Sequence, residues 1–198
     1  AGLRVTSTDF SPELCEWTRR ALRERGAEDA NPVIAADLQT IELPPAAFDA
    51  AVCAEVLEHL DDDAAALGRI AHALRPGGLL LVTVPAGPYR YDWTDRWAGH
   101  VRRYTVEGLR DRIAEAGFED VVVQGWGFPL TGLYHRQVYR RALKRRLAAG
   151  GGAAVGGAPP RLVSRIVRAA LEVDSAFIGR RPGYHGLLAT ARRRAEPG

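Results

Sequence analysis

An α/β protein with a doubly wound sheet is what this sequence predicts, and three observations carry the prediction. Short apolar runs alternate with amphipathic stretches of helical length along most of the chain. Two of those runs, FDAAVCA (48–54) and LLLVTV (79–84), are apolar enough to be buried on both faces, as parallel strands are. The stretches between such runs open on capping residues and close on glycine. Strands alternating with helices of this length indicate crossover units rather than a sandwich or a bundle.

The elements follow in order. Residues 3–8 read as a short strand, and Ser11-Pro12-Glu13 starts a helix with a cap followed by Pro, running to about Arg25 and ended by Gly26. Residues 31–36 are the second strand and 48–54 the third. Residues 61–74 form an amphipathic helix whose acidic first turn suits the helix dipole. Arg75-Pro76-Gly77-Gly78 is a turn before the fourth strand, 79–84. An aromatic-rich loop (85–104) precedes a helix capped by Thr105 and stopped by Gly117. Residues 119–126 form a strand, and 186–190 (GLLAT) form the last. Between those two lies an insertion with two basic amphipathic helices, about 133–147 and 161–177, joined by a Gly/Ala/Pro link. In the second, Leu162, Ile166, Val167, Ala170, Leu171 and Phe177 make one apolar face, with Arg161, Arg165 and Arg168 opposite. The insertion reads as a packed helical cap ahead of a membrane-surface element.

Composition narrows the class. A chain of 198 residues, 46% hydrophobic and 26% charged, can bury one core without staples. Two cysteines, Cys15 and Cys53, make no disulfide framework and point to a reduced, cytoplasmic setting. No apolar run approaches the ~20 residues that cross a bilayer, and no signal-peptide pattern is present. A secreted mini-protein, a fibre and a membrane-spanning protein are excluded on this reading. The net charge of +3 hides an asymmetry: residues 1–133 hold 13 Lys/Arg against 21 Asp/Glu, whereas residues 134–198 hold 14 against 3. The basic end either faces an anionic partner or is a solubilising helix surface.

Taken in order, VTSTDFSPE (5–13), AADL (35–38), FDAAVCAEVLEHL (48–60) and LRPGGLLLVTVP (74–85) resemble the class I S-adenosylmethionine-dependent methyltransferases. The resemblance runs from residue 1 to about 127 and returns at the final strand. It implies a Rossmann-like, seven-stranded sheet with its core in 1–127 and 186–198. Residues 128–185 are then a helical insertion before the last strand and not an independent domain. It also implies S-adenosylmethionine as cofactor. The family's first strand and Gly-rich loop would precede residue 1, and no GxGxG occurs. The glycine run at 150–152 sits in a linker and cannot substitute, because such a loop must join a strand to a helix. With no Met in the sequence, Ala1 is not a translation start, and the strand and loop are expected before it.

Asp9, just past the first visible strand, can accept hydrogen bonds from both ribose hydroxyls, with Phe10 covering the adenine. The resemblance makes Asp37 the adenine-amino acceptor, assisted by the Leu38 backbone, and places Cys53 by its backbone near the methionine part. As a side chain, Cys53 reads as a small buried hydrophobe.

Glu55, Glu58 and His59 stand at i, i+3 and i+4, which on a helical turn is one face. The pattern is similar to that of ubiquinone-pathway O-methyltransferases and small-RNA 2′-O-methyltransferases, where it holds a divalent ion. The RNA enzymes add a further His from beyond the next strand, and His100 is the candidate here. Two readings stand: Glu55, Glu58, His59 and His100 hold a divalent cation such as Mg or Zn, or His59 or His100 acts as a general base without metal. His72, His135 and His185 read as packing or surface histidines, and Asp61-Asp62-Asp63 as a helix cap.

The acceptor would meet Tyr89, Tyr91, Trp93 and Trp97, extended by Trp126-Gly127-Phe128, with Arg102, Arg103 and the insertion arginines available for an anionic group. The expected activity is methyl transfer to a small-molecule acceptor, at a hydroxyl oxygen first and at nitrogen or carbon as alternatives. An RNA 2′-O-methyltransferase and a non-catalytic scaffold of the same fold are the rivals. Nucleic acid is the less favoured partner, and the sequence leaves the oligomeric state open.

Overall fold

The computed structural model describes residues 2–149, 161–179 and 184–195. The chain divides into two compact units, residues 1–43 and 44–198.

The first unit is a small strand–helix–strand. β1 (Ser7–Asp9) leads to α1 (Pro12–Arg23), and β2 (Val33–Ala35) returns parallel to β1, from Ser7 opposite Val33 to Asp9 opposite Ala35. The Ser11 hydroxyl caps α1 by accepting from Leu14 N, with Pro12 in the first turn where its missing N–H costs nothing. Both strands are shorter than the β-rich runs that announced them. Asn31 does part of the missing pairing, since its Oδ1 accepts from Val5 N while its Nδ2 donates to Ala27 O. Cys15 is fully buried, with Sγ 3.6 Å from Asp9 O and 3.5 Å from Ile34 O, so it joins α1 to the ends of both strands.

The second unit carries the main sheet. β3 (Phe48–Ala54) runs parallel to β4 (Leu74–Pro85), and α2 (Asp63–Ala73) lies between them in sequence and packs on β4. Asp62 caps α2 by accepting from Ala65 N, as the acidic run predicts. Residues 75–78 bulge out between the paired positions Leu74 and Leu79. Gly78 is required there, because a Cβ would come within 2.8 Å of Arg75 O. α3 (Trp93–Ala98), α4 (Val106–Glu115) and β5 (Phe118–Trp126) follow. The insertion holds α5 (Leu130–Tyr134), a π-turn (His135–Tyr139), α6 (Arg140–Ala148) and α7 (Arg161–Ser175). β6 (Gly186–Arg193) then enters antiparallel between β4 and β5, giving the order β3-β4-β6-β5.

The core of this unit comes from one face of β4 (Leu80, Val82, Val84), Leu187 and Ala189 of β6, Leu67 of α2, and Leu109 and Ile113 of α4. Six strands are present among the described residues rather than seven. β3 departs from its expected double burial, and Val52 is 72% exposed. The reason is position: β3 is the edge strand, paired with β4 alone among the described residues. In α7, Leu162, Ile166 and Val167 lie outside the described side chains. Leu171 is exposed, while Phe177 meets Phe128 edge-on at 6.0 Å. No helix among the described residues is long and apolar enough to cross a membrane.

Candidate functional site

In the first unit, Asp9 ends β1 at the carboxyl edge of the pair. One oxygen accepts from Ser11 N at 2.8 Å, and the residue is exposed. Phe10 beside it is 78% exposed. Asp37, two residues beyond β2, accepts from Gln39 N at 2.8 Å in an Asx turn. Its carbonyl accepts from Thr40 and Ile41, and Leu38 is half-buried within that turn. Asp9, Phe10, Asp37 and Leu38 are thus presented at the ends of neighbouring strands.

In the second unit the chemistry gathers beyond β3 and β4. Cys53 is buried in β3, and burial followed by the Glu58 charge pushes its thiol up to about 12, so it stays protonated. β3 ends in a break: Glu55 adopts a left-handed φ of 52°, its N–H donating to Thr83 O at 2.9 Å. Leu57–His59 then forms one 3-10 turn. The expected α-helical face through residues 55, 58 and 59 is therefore not formed. Glu58 and His59 are brought together with His100, ligand atoms of all three lying within 4.8 Å of one another, and Glu55 is not in that set. Its carboxyl is pushed up by burial and partly restored by the Thr83 hydroxyl.

The turn is clamped against the 99–104 segment. Val101 N donates to Glu58 O at 2.8 Å, Tyr104 Oη donates to Asp63 at 2.7 Å and to Leu57 O, and Arg102 pairs with Asp63 at 3.0 Å. Asp63 is thus a buried partner of the clamp rather than a metal ligand.

Glu58 has no exposed surface, and neither carboxylate oxygen has a hydrogen-bond partner among the described residues. Burial first, and the Glu55 charge second, push it up to about 8. His100 lies 4.0 Å from Glu58 Oε1 through Nε2, while its Nδ1 is 2.9 Å from Asp95 Oδ1. Burial opposes the Asp95 charge, yet the Arg103 guanidinium, the Asp92 N–H and His100 hold that carboxyl below its usual range. A charged carboxylate only accepts, so His100 Nδ1 donates to Asp95 and Nε2 is the ring atom turned toward Glu58. His59 follows the same logic: its Nδ1 donates to Gly99 O at 3.2 Å, and its ring meets His100 edge-on at 4.7 Å. Gly99 supplies that carbonyl from a left-handed φ of 80° at the end of α3. Burial and the neighbouring His100 keep His59 below the ordinary imidazole value.

Asp95 was not expected from the sequence. Its signal was the capping pattern Asp92-x-x-Asp95, and both arms form: Asp92 N donates to Asp95 Oδ2 while Asp92 Oδ1 accepts from Thr94 N. The same carboxylate that caps α3 therefore orients His100 and holds Arg103 Nε at 2.7 Å. The aromatic wall is partly realised. Tyr91 donates to His100 O, Trp93 lies beneath the Arg140 guanidinium, and Tyr89 is exposed.

Residues 1–82 match the family described as a methyltransferase domain. Over 82 residues the chain is 40% identical to a ubiquinone biosynthesis O-methyltransferase of Xylella fastidiosa, covering 41% of this chain and 33% of that protein. Over 146 residues it is 27% identical to the enzyme so named from Idiomarina loihiensis, covering 66% and 59%. The first match spans a third of that relative's own length. Among solved structures, the [4+2]-cyclase SpnF superposes with a TM-score of 0.67 at 22% identity, covering 98% of this chain and 67% of that one. The phosphoethanolamine N-methyltransferase 2 of Haemonchus contortus, bound to S-adenosyl-L-methionine, superposes at 0.64 with 17% identity over 98% and 44%. Fold by itself does not select a reaction, since a cyclase and an N-methyltransferase share this one. Residues 1–82 are thus similar to a methyltransferase domain, and the chain as a whole shares the fold of these solved structures.

Proposed function

We propose that this protein transfers a methyl group from S-adenosylmethionine to a hydroxyl oxygen of a small-molecule acceptor, using His100 as the group that takes the proton. The observation that carries this reading is the buried, unpartnered Glu58 carboxyl beside His100, whose other nitrogen is held by Asp95. The names of the curated relatives, ubiquinone biosynthesis O-methyltransferases, support oxygen as the atom methylated. Asp9 and Phe10 suit a ribose and an adenine: one exposed carboxylate and one exposed ring at a strand end. S-adenosylmethionine, when bound, supplies an electrophilic methyl on sulfonium. The chain's own part is to orient the acceptor and accept its proton at His100 Nε2, where the resulting imidazolium is stabilised by Asp95.

The Glu58 oxygens also fit a cation, because an orphaned buried carboxylate is costly unless something pairs with it. Glu58, His59 and His100 would be its protein ligands, and one carboxylate with two imidazoles suits Zn better than Mg. Such an ion would supply a Lewis acid that lowers the pKa of the acceptor hydroxyl.

The test pairs binding with turnover. Calorimetric titration of S-adenosylhomocysteine is expected to show binding, and methylation of a catechol probe is expected in the wild type and lost in His100→Ala. Transfer that survives His100→Ala and a chelator together overturns the assignment.

A further inference from the structure

A second cluster stands on the same edge of the four-stranded sheet, and the methyl-transfer reading does not use it. Trp126 closes β5 opposite Gly186, the first residue of β6. His185 precedes β6; its N–H donates to Trp126 O at 2.8 Å, and its carbonyl accepts from Ala86 N just beyond β4. The π-turn of the insertion brings His135 to it, ring centroids 4.5 Å apart, and Tyr139 stacks on His135 at 5.2 Å. The indole of Trp126 meets His185 edge-on at 6.3 Å.

Two features, an unpartnered donor and the sign of the surrounding charge, point to a ligand here. Trp126 Nε1 is buried with no acceptor among the described residues, and an indole N–H can only donate. Gly186 lets the indole lie directly against backbone, since a Cβ there would come within 2.4 Å of Nε1. Finally, the surrounding charge is positive. Arg90, Arg103 and Arg140 act on the imidazole pair against Asp92 and Asp95. Arg103 is matched by Asp95 and Arg140 by Asp92, whereas Arg90 donates to a backbone carbonyl, that of Tyr184. A cation is disfavoured there, while each neutral imidazole and the indole offer one N–H.

We propose that His135, His185 and Trp126 Nε1 form a binding site for an oxyanion, a carboxylate or phosphoryl group, carried by the methyl acceptor. The part that assigns the anion to the acceptor rests on the methyl-transfer reading. The site adjoins the reacting cluster through Arg103, which holds Asp95 with Nε and donates to Ala86 O with Nη1. Burial, His135 and two arginines keep His185 down at about 4, and burial with Arg103 and Arg140 holds His135 below its ordinary value, so a bound anion has room to raise both.

The test uses the whole chain and two probes, inorganic phosphate and benzoate. Histidine and indole signals are followed by NMR while each probe is titrated to about 50 mM, the range expected of a lone anion with millimolar affinity. The expected result is a saturating shift of the Trp126 Nε1–H and a rise in the apparent pKa of His135 and His185. Affinity should fall about tenfold in both His135→Gln and Trp126→Phe, a loss of one hydrogen bond to a charged group. His135→Gln carries the test alone if Trp126→Phe does not fold. Response to benzoate alone assigns a carboxylate, and to phosphate alone a phosphoryl group. No response to either, in protein that binds S-adenosylhomocysteine, overturns the site. Anion binding in protein that fails to bind S-adenosylhomocysteine keeps the site and overturns methyl transfer instead.

Discussion

Glu58 sits without surface and without a hydrogen bond on either oxygen, in a protein that can only tolerate this if the carboxyl stays neutral or finds a cation. Its folded value is raised from 4.5 to about 8, so the stability tied to the neutral form is complete below 4.5 and is lost as pH rises through 8. With chelator present, wild type should therefore lose thermal stability relative to Glu58→Gln between pH 5 and 8.5, while the two converge in acid. A melting-temperature gap that does not change with pH would show that the carboxyl is not the cause. Zinc should reverse the order, because the charged carboxylate then has a partner that glutamine cannot replace. Spacing found Glu58 and His59, since types and intervals are visible in a sequence, and the resemblance to the RNA enzymes added His100. What spacing could not show was Asp95, whose capping role concealed its second one, or the left-handed backbone that Glu55 adopts just beyond β3.

Elements were legible to different depths for a physical reason. β3, α2, α4 and β6 begin where a cap or an apolar run says they should, because local chemistry and core packing agree there. β1 and β2 pair over three residues each, fewer than their β-rich sequences suggest, since strand length is set by the partner. In the insertion the sequence shows amphipathic helices but not what fixes them. Asp174 of α7 does so: it is buried and accepts from Leu130 N at 2.8 Å and Thr131 N at 2.7 Å, satisfying the first turn of α5 from another helix. Asp174→Ala removes both acceptors and should cost about 1–3 kcal/mol in urea unfolding, the range for buried donors left unpaired. Asp174→Asn keeps one acceptor and should recover part of the loss. Equal stabilities for all three would mean that α5 does not depend on α7.

At the scale of the whole molecule, the acids assigned to the cofactor and the residues assigned to the chemistry belong to different units, Asp9 and Asp37 to the first and Glu58, His59 and His100 to the second, beside Cys53. If each unit does its own work, binding and transfer should fail separately. Asp9→Ala removes the acceptor for two ribose hydroxyls and should weaken S-adenosylhomocysteine about tenfold or more by calorimetry, the scale of one or two hydrogen bonds to a charged group. Its fold should survive, because the Asp9 side chain holds one exposed hydrogen bond, to Ser11 N. Glu58→Gln should leave that affinity within about twofold and instead depress transfer, since Glu58 belongs to the second unit and the acids assigned to the cofactor to the first. The pair of variants is therefore a crossed test. Weak cofactor binding in Glu58→Gln, or full binding in Asp9→Ala, would mean that the division of labour between the two units is wrong.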